Sequence, residues 1–272
     1  MVQHGARDGV HALGCVEGDG GDAVGNLEEN LLWCAHAGKL ATVTTADPNR
    51  EPDSTAVAQP TLHGGLNDGC RVLLIRHGRS ADVVPGSPES SDPPLHAEGE
   101  RQALALGLRL KDARIDAVYS SHLKRAHDTA WQVALHHGLD VVVHEDLEEI
   151  RLGDWANGEF RRRAASKDGE FLRWAATGRW DGIPNAESDD EFRQRIAGRV
   201  ARLADRHAGG CIAVVCHGGA INAYLAHALG THRSLWMMVE NTSITTVRVD
   251  DGVTLLTLND CHHIYDLVTE LR

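Results

Sequence analysis

From residue 71 onward the chain alternates short apolar runs with amphipathic stretches, and that alternation confines it to a layered α/β fold. "RVLLIR" (71–76), "IDAVYSS" (115–121), "DVVVHE" (140–145) and "CIAVVCH" (211–217) are the length of strands and continuous enough to be covered on both faces. "HAEGERQALALGLRLKDA" (96–113), "HLKRAHDTAWQVALHHG" (122–138) and "ESDDEFRQRIAGRVARLADRHAGG" (187–210) carry helical spacing. The last has an acidic start and basic residues later, as the helix dipole favours. "GGAINAYLAHALG" (218–230) is a helix ending at glycine, and "SITTVRVDDGVTLLTLND" (243–260) reads as two strands around Asp251-Gly252. The stretch after the third strand, to about residue 165, reads as irregular. The expected fold is a three-layer sandwich, with a mainly parallel central sheet flanked by helices.

Residues 1–70 lack this texture. They are rich in glycine, as in "GCVEGDGGDAVGN" (14–26), with one candidate helix (29–43) and a linker-like run, "ADPNREPDSTAVAQP" (46–60). The expectation is a poorly structured extension at 1–70 ahead of one domain at 71–272.

Charge narrows the partners. Residues 1–70 carry 3 Lys/Arg against 10 Asp/Glu, and the remainder 24 against 29, so no basic face for nucleic acid is expected. An anionic substrate would need a local basic pocket. No apolar run approaches the roughly 18 residues of a membrane span, and no secretory leader is visible. Six cysteines without a C-x-x-C pair suit reduced thiols, so a cytoplasmic protein is the default expectation. Neither "GDGGDAVG" nor "CHHIYD" reads as a cofactor or metal site, and the chain is expected to need neither.

In a parallel sheet, ligands bind beyond the carboxyl ends of the strands. Arg76-His77-Gly78-Arg79-Ser80, then Ser120-Ser121 with Arg125, then His217-Gly218-Gly219 follow three of the strands and should meet in one crevice. Two or three guanidinium forks with two imidazoles make a dense anion site suited to phosphoryl oxygens. A neutral imidazole can accept a phosphoryl group, and His77, fixed by its strand beside Gly78, is the better nucleophile candidate. Arg76 and Arg125 would hold the phosphoryl group, with His217 donating to one of its oxygens. Arg79, Ser80 and Gly218 are further candidates for contacting substrate. A carboxyl facing bound phosphate can stay protonated and serve as general acid. Glu148, Glu149, Asp154 and Glu159 are the candidates, and composition does not choose among them. Arg161, Arg162 and Arg163 read as a solvated helical face. Trp155, Trp174 and Trp180 read as packing residues.

Taken together, "LLIRHGRS", "LHAEGERQA", "VYSSHLKRAHDTA", "LEEIRLGDW", "NAESDDEFRQR" and "AVVCHGGAINAYL", over about residues 71–262, resemble the histidine phosphatase superfamily, also called the phosphoglycerate mutase-like family. The resemblance implies a phosphorylated histidine at His77 with Arg76, Arg125 and His217 around it. It also puts the proton donor at Glu149, with Glu148 pointing into solvent. Val83 stands where mutase members usually have asparagine, His122 where proline is frequent, and Asn185-Ala186 where two glycines are usual. Only about 68 residues separate Glu149 from His217, short of the insertion typical of cofactor-dependent mutases. The resemblance therefore points to the phosphatase branch and a small phosphorylated substrate. A mutase and a non-catalytic phosphate-binding module are the alternatives.

Overall fold

The structure, a computed structural model, describes residues 69–265. The expectations for the extension, its short helix and its linker fall outside those residues, save that Cys70 already belongs to the first strand. The elements in chain order are β1 (Cys70–Arg76), α1 (Ala97–Leu110), β2 (Ala117–Ser120), α2 (Lys124–His137), β3 (Val141–Val143), α3 (Glu159–Ser166), α4 (Gly169–Thr177), α5 (Asp189–Arg206), β4 (Cys211–Cys216), α6 (Gly218–Leu229), β5 (Ile244–Val249) and β6 (Val253–Asp260).

They form one six-stranded sheet in the order β3-β2-β4-β1-β5-β6. β1, β2, β3 and β4 run parallel, while β5 lies antiparallel to β1 and β6. Because strand side chains alternate faces, β1 feeds two cores. Leu73 and Ile75 pack with Leu106 and Leu110 of α1 and Ala126, Ala130 and Val133 of α2. Val72 and Leu74 pack with Phe192, Ile196 and Val200 of α5 and Ile221 and Leu225 of α6. Each fully buried aliphatic side chain contributes about 1.5–3 kcal/mol. Two covered faces explain why β1 and β4 read as continuous apolar runs, and the layers match the expected sandwich. Among the described residues no helix is long and apolar enough to cross a membrane.

The crossover from β3 to α5 departs from the sequence reading. The stretch expected to be irregular holds short 3-10 turns at Glu145–Leu147 and Gly153–Trp155 and then α3, with α4 following. α3 buries no residue, so it has no apolar stripe to reveal it; Glu159 pairs instead with Arg162 and Arg163, one turn along. α4 begins at Asp168, whose side chain accepts from the backbone of Glu170 and Phe171. Trp155, Phe160, Phe171, Trp174 and Trp180 gather into one aromatic cluster against α5. The box Ser188/Glu191 caps α5.

Candidate active site

β1 delivers Arg76 and His77 to the carboxyl edge of the sheet. His77 N donates to Cys216 O (3.0 Å), which extends the β1–β4 ladder by one residue. Gly78 N donates to Thr129 Oγ1 (3.0 Å), and Asn241 Nδ2 donates to His77 O (2.9 Å). Thr242 N donates to Arg76 O (3.0 Å), from a fully buried β-branched residue held at φ 56°. Such left-handed strain persists only where surroundings impose it. His263 Nε2, 3.2 Å from Thr242 Oγ1, is part of those surroundings. So the discounted "CHH" run supplies a brace behind His77, which no spacing rule could have revealed. Gly78 does permit a close approach, but to α1: a Cβ there would stand 2.6 Å from Gly99 O.

The convergence expected from strand topology is present. Arg125, in the first turn of α2, donates from Nε to His77 Nε2 (3.2 Å), and its Nη2 lies 3.5 Å from His217 Nδ1. The two imidazole rings lie 5.0 Å apart at 61°. His77 Nδ1 is 2.7 Å from Gly78 O and so carries the proton, leaving Nε2 unprotonated with its lone pair directed at Arg125 Nε. For His217, accepting at Nδ1 leaves Nε2–H as a donor. These tautomers are assigned from hydrogen-bond partners. Arg76 Nη1 is tied to Val239 O. Ser120 and Ser121 are fully buried and shape the turn into α2, where Ser121 Oγ accepts from Leu123 N (3.3 Å).

Three buried polar atoms in this group, Arg76 Nε, Arg125 Nη1 and His217 Nε2, lack a hydrogen-bond partner among the described residues. Leaving such an atom unsatisfied costs about 1–3 kcal/mol, so three around one imidazole suit an anion that would satisfy them together. Asp92, 3.7 Å from Arg125 Nη1, is the nearest carboxylate paired with that guanidinium. Burial, reinforced by Arg125 and Arg76, holds the His77 pKa well below the ordinary 6.5. Burial also leads at His217, followed by Arg125, His77 and Arg76. Both rings are therefore neutral at pH 7, as nucleophilic attack by imidazole requires.

Glu149 reaches the same group from the crossover. Its Oε2 accepts from Gly219 N (2.9 Å) and its Oε1 from Ile150 N (3.0 Å). A Cβ at Gly219 would collide with Glu149 Oε1, so only glycine lets this carboxylate sit on the first turn of α6. Arg195 fixes the Glu149 backbone by donating to the carbonyls of Asp146, Glu148 and Glu149 while gripping Glu187 at 2.6 and 2.7 Å. Glu148 does not point away into solvent. It lines the cleft, bonded to Arg151 and 3.9 Å from His122, because the short Glu145–Leu147 turn presents both neighbouring carboxylates to it. The other two candidates are engaged elsewhere. Asp154 accepts from Asn185 (2.9 Å), and Glu159 is held at a pKa of about 2, first by hydrogen bonding to Arg162.

The cleft above these groups has a volume of about 840 Å³, ample for a phosphate ester. Arg76, His77, Arg125 and Glu149 are on its wall together with Ser80, His122, Trp155, Arg161 and Trp180. His217 is fully buried beneath the floor, and Gly218 backs Arg76, whose Nε would lie 3.4 Å from a Cβ there. The expectation for Arg79 is corrected: it is bound to Glu98, with Asp82 3.7 Å away, and it does not line the cleft. Arg161 takes the place foreseen for it, donating to Ser80 Oγ (2.9 Å) and Ala81 O (3.1 Å). The signal lay in the spacing: Glu159 engages residues three and four places on, which turns Arg161 to another face. Trp174 packs as expected, whereas Trp155 and Trp180 do both. Val83 is not on the cleft wall. Asn185 adopts φ 59°, a conformation that suits the glycine usual at that position.

Comparison with known proteins finds the following similarities. The model of the histidine phosphatase superfamily (branch 1) matches residues 72–261. The chain is 33% identical over 190 residues to phosphoglycerate mutase-like protein 4 of Arabidopsis thaliana, covering 68% of this chain and 82% of that protein. It is 28% identical over 200 residues to putative phosphoserine phosphatase 2 of Hydrogenobacter thermophilus, covering 71% and 97%. Among solved structures, a mycobacterial glucosyl-3-phosphoglycerate phosphatase superposes with a TM-score of 0.61 at 26% identity, over 70% of this chain and 99% of that one.

Proposed function

This chain belongs to the histidine phosphatase superfamily, and we propose that it is a phosphomonoester hydrolase that works through a phosphohistidine on His77 without a metal ion. The observation that carries the reading is the neutral His77, its Nε2 lone pair facing Arg125, ringed by three buried donors without partners. A phosphoryl group seated there takes Arg76 Nε, Arg125 Nη1 and His217 Nε2 as its hydrogen-bond donors. The His77 Nε2 lone pair forms the P–N bond as the P–O bond to the leaving group breaks. The departing oxygen keeps that electron pair and receives the proton of Glu149. Water then attacks phosphorus while Glu149 takes its proton. The P–N electrons return to Nε2, and inorganic phosphate is released.

The substrate is a small phosphorylated metabolite, with Arg161 at the rim facing its leaving group. The short crossover supports hydrolysis over isomerisation; Val83, being off the cleft wall, carries no weight in that choice. The test is a phosphatase screen over a metabolite panel and p-nitrophenyl phosphate, in chelator, beside His77→Ala. Turnover by wild type alone, with an acid-labile phosphoenzyme, is the expected result. Conversion of 3-phosphoglycerate to 2-phosphoglycerate with a bisphosphate primer and no phosphate release would overturn it in favour of a mutase.

A further inference from the structure

Trp180 belongs to the aromatic cluster of the crossover, and packing accounts for all of its ring except one atom. The ring lies 5.3 Å from Trp174, 6.0 Å from Phe160 and 6.3 Å from Phe192, and the residue is 6% exposed. Trp174 Nε1 has an acceptor in Trp180 O (3.5 Å), but Trp180 Nε1 is buried with no partner among the described residues. Indole N–H groups buried in proteins ordinarily find an acceptor.

Two further observations show where this donor stands. Trp180 is on the cleft wall, and its ring edge and the Glu149 carboxylate both border Gly219. A Cβ at Gly219 would lie 3.0 Å from Trp180 Cζ2 while colliding with Glu149 Oε1, so indole and carboxylate share one small space. The ring is also fixed in place. Trp180 N donates to Asp189 Oδ1 (3.0 Å), and that fully buried carboxylate is held by Arg193 (2.7 Å) and Ser234 Oγ (3.0 Å). A rigid donor costs little ordering when a ligand uses it.

We propose that Trp180 Nε1–H is a specificity donor on the leaving-group side of the cleft. It receives an acceptor oxygen placed close to the ester oxygen that Glu149 protonates. The inference rests on the phosphatase reading and narrows it. The preferred substrates are alkyl phosphomonoesters with a neighbouring hydroxyl or carboxylate oxygen, as in phosphorylated polyols and hydroxy acids. An aryl or plain alkyl leaving group offers the indole nothing and leaves its N–H unsatisfied.

A matched pair of probes tests this: sn-glycerol 3-phosphate and n-propyl phosphate, which differ in the hydroxyls. Wild type should favour the glycerol ester in kcat/KM by about fivefold to tenfold, the range of one hydrogen bond. Trp180→Phe keeps a packed ring and removes the N–H. It should erase that preference by lowering kcat/KM for the glycerol ester about fivefold to tenfold more than for propyl phosphate or p-nitrophenyl phosphate. A preference that survives in Trp180→Phe overturns the proposal. So does an equal loss on all three esters, which would make the indole a packing element. If wild type cleaves p-nitrophenyl phosphate but shows no preference within the pair, this inference falls and the phosphatase reading stands. If wild type cleaves none, the phosphatase reading itself falls.

Discussion

Arg76, His77, Arg125 and His217 are mounted on β1, α2 and the end of β4, whereas Glu149, Arg161 and Trp180 ride on the crossover between β3 and α5. The first group is held by backbone hydrogen bonds that continue the sheet, such as His77 N to Cys216 O. The second is held by side chains: Arg195 on Glu187, Asp189 on Arg193, and five aromatic rings in tilted and edge-to-face contact. The sheet is shared by both cores, so the first mount changes only if the fold changes. The crossover can be rebuilt around a new leaving group while the phosphoryl seat stays intact. Under the proposed function the first region seats the phosphoryl group, while the crossover supplies the groups that meet the leaving group, Glu149 included.

Substitutions in the two regions should fail in different ways. His77→Ala removes the nucleophile and should lower kcat by at least about a thousandfold on every ester, read by phosphate release and loss of the labelled phosphoenzyme. Glu149→Gln keeps the shape and removes the proton. Its kcat on alkyl esters should fall by about 10²–10⁴-fold. Formation of the phosphoenzyme from p-nitrophenyl phosphate, whose leaving group needs little protonation, should fall far less in single-turnover kinetics. Equal losses on both would place Glu149 outside the leaving-group step.

Gly219→Ala drives a methyl group into Glu149 Oε1 and should lower kcat on alkyl esters by about tenfold to a hundredfold, with circular dichroism unchanged. Arg161→Ala should raise KM by about tenfold for substrates with a second anionic group while kcat stays within about threefold, as loss of uniform binding predicts. A kcat effect of the size expected for Glu149→Gln would give Arg161 a part in the chemical step itself.

The smallest effect concerns pH. The folded pKa values of His77 and His217 lie well below 6.5, while in the unfolded chain both titrate near it. His77 therefore stays neutral as pH falls through 6.5, and kcat/KM should show no loss assignable to it there. In stability the same shifts act oppositely. Below about pH 6.5 the unfolded chain binds protons that the folded one refuses, so denaturant midpoints should fall as pH drops and level off above it. The histidine variants should flatten that slope.

Much of the strand-mounted region was legible in the sequence, because a continuous apolar run, a covered sheet and a ligand at its carboxyl edge follow from one another. Val72 to Ile75 had to face two cores, and the residue after Arg76 had to emerge at the edge. The crossover was not legible. α3 buries nothing, and Arg161, Arg162 and Arg163 look alike until Glu159 claims two of them. Arg79 reads in the sequence as a candidate substrate contact, but Glu98 binds it. Nothing local marks Thr242, which bonds to a strand more than 160 residues away, or His263, which reaches that strand only through Thr242.

The sequence alone determined the layered fold, the edge where chemistry gathers and the residue types gathered there, because strand period and burial are local properties. The tertiary structure decided which of several identical side chains the described residues leave without a carboxylate or an acceptor: Arg161, held only by Ser80 Oγ and Ala81 O, rather than Arg162, and Trp180 rather than Trp174. That choice depends on distant partners, and a charge or an N–H is free for a ligand only when the folded protein has not already satisfied it.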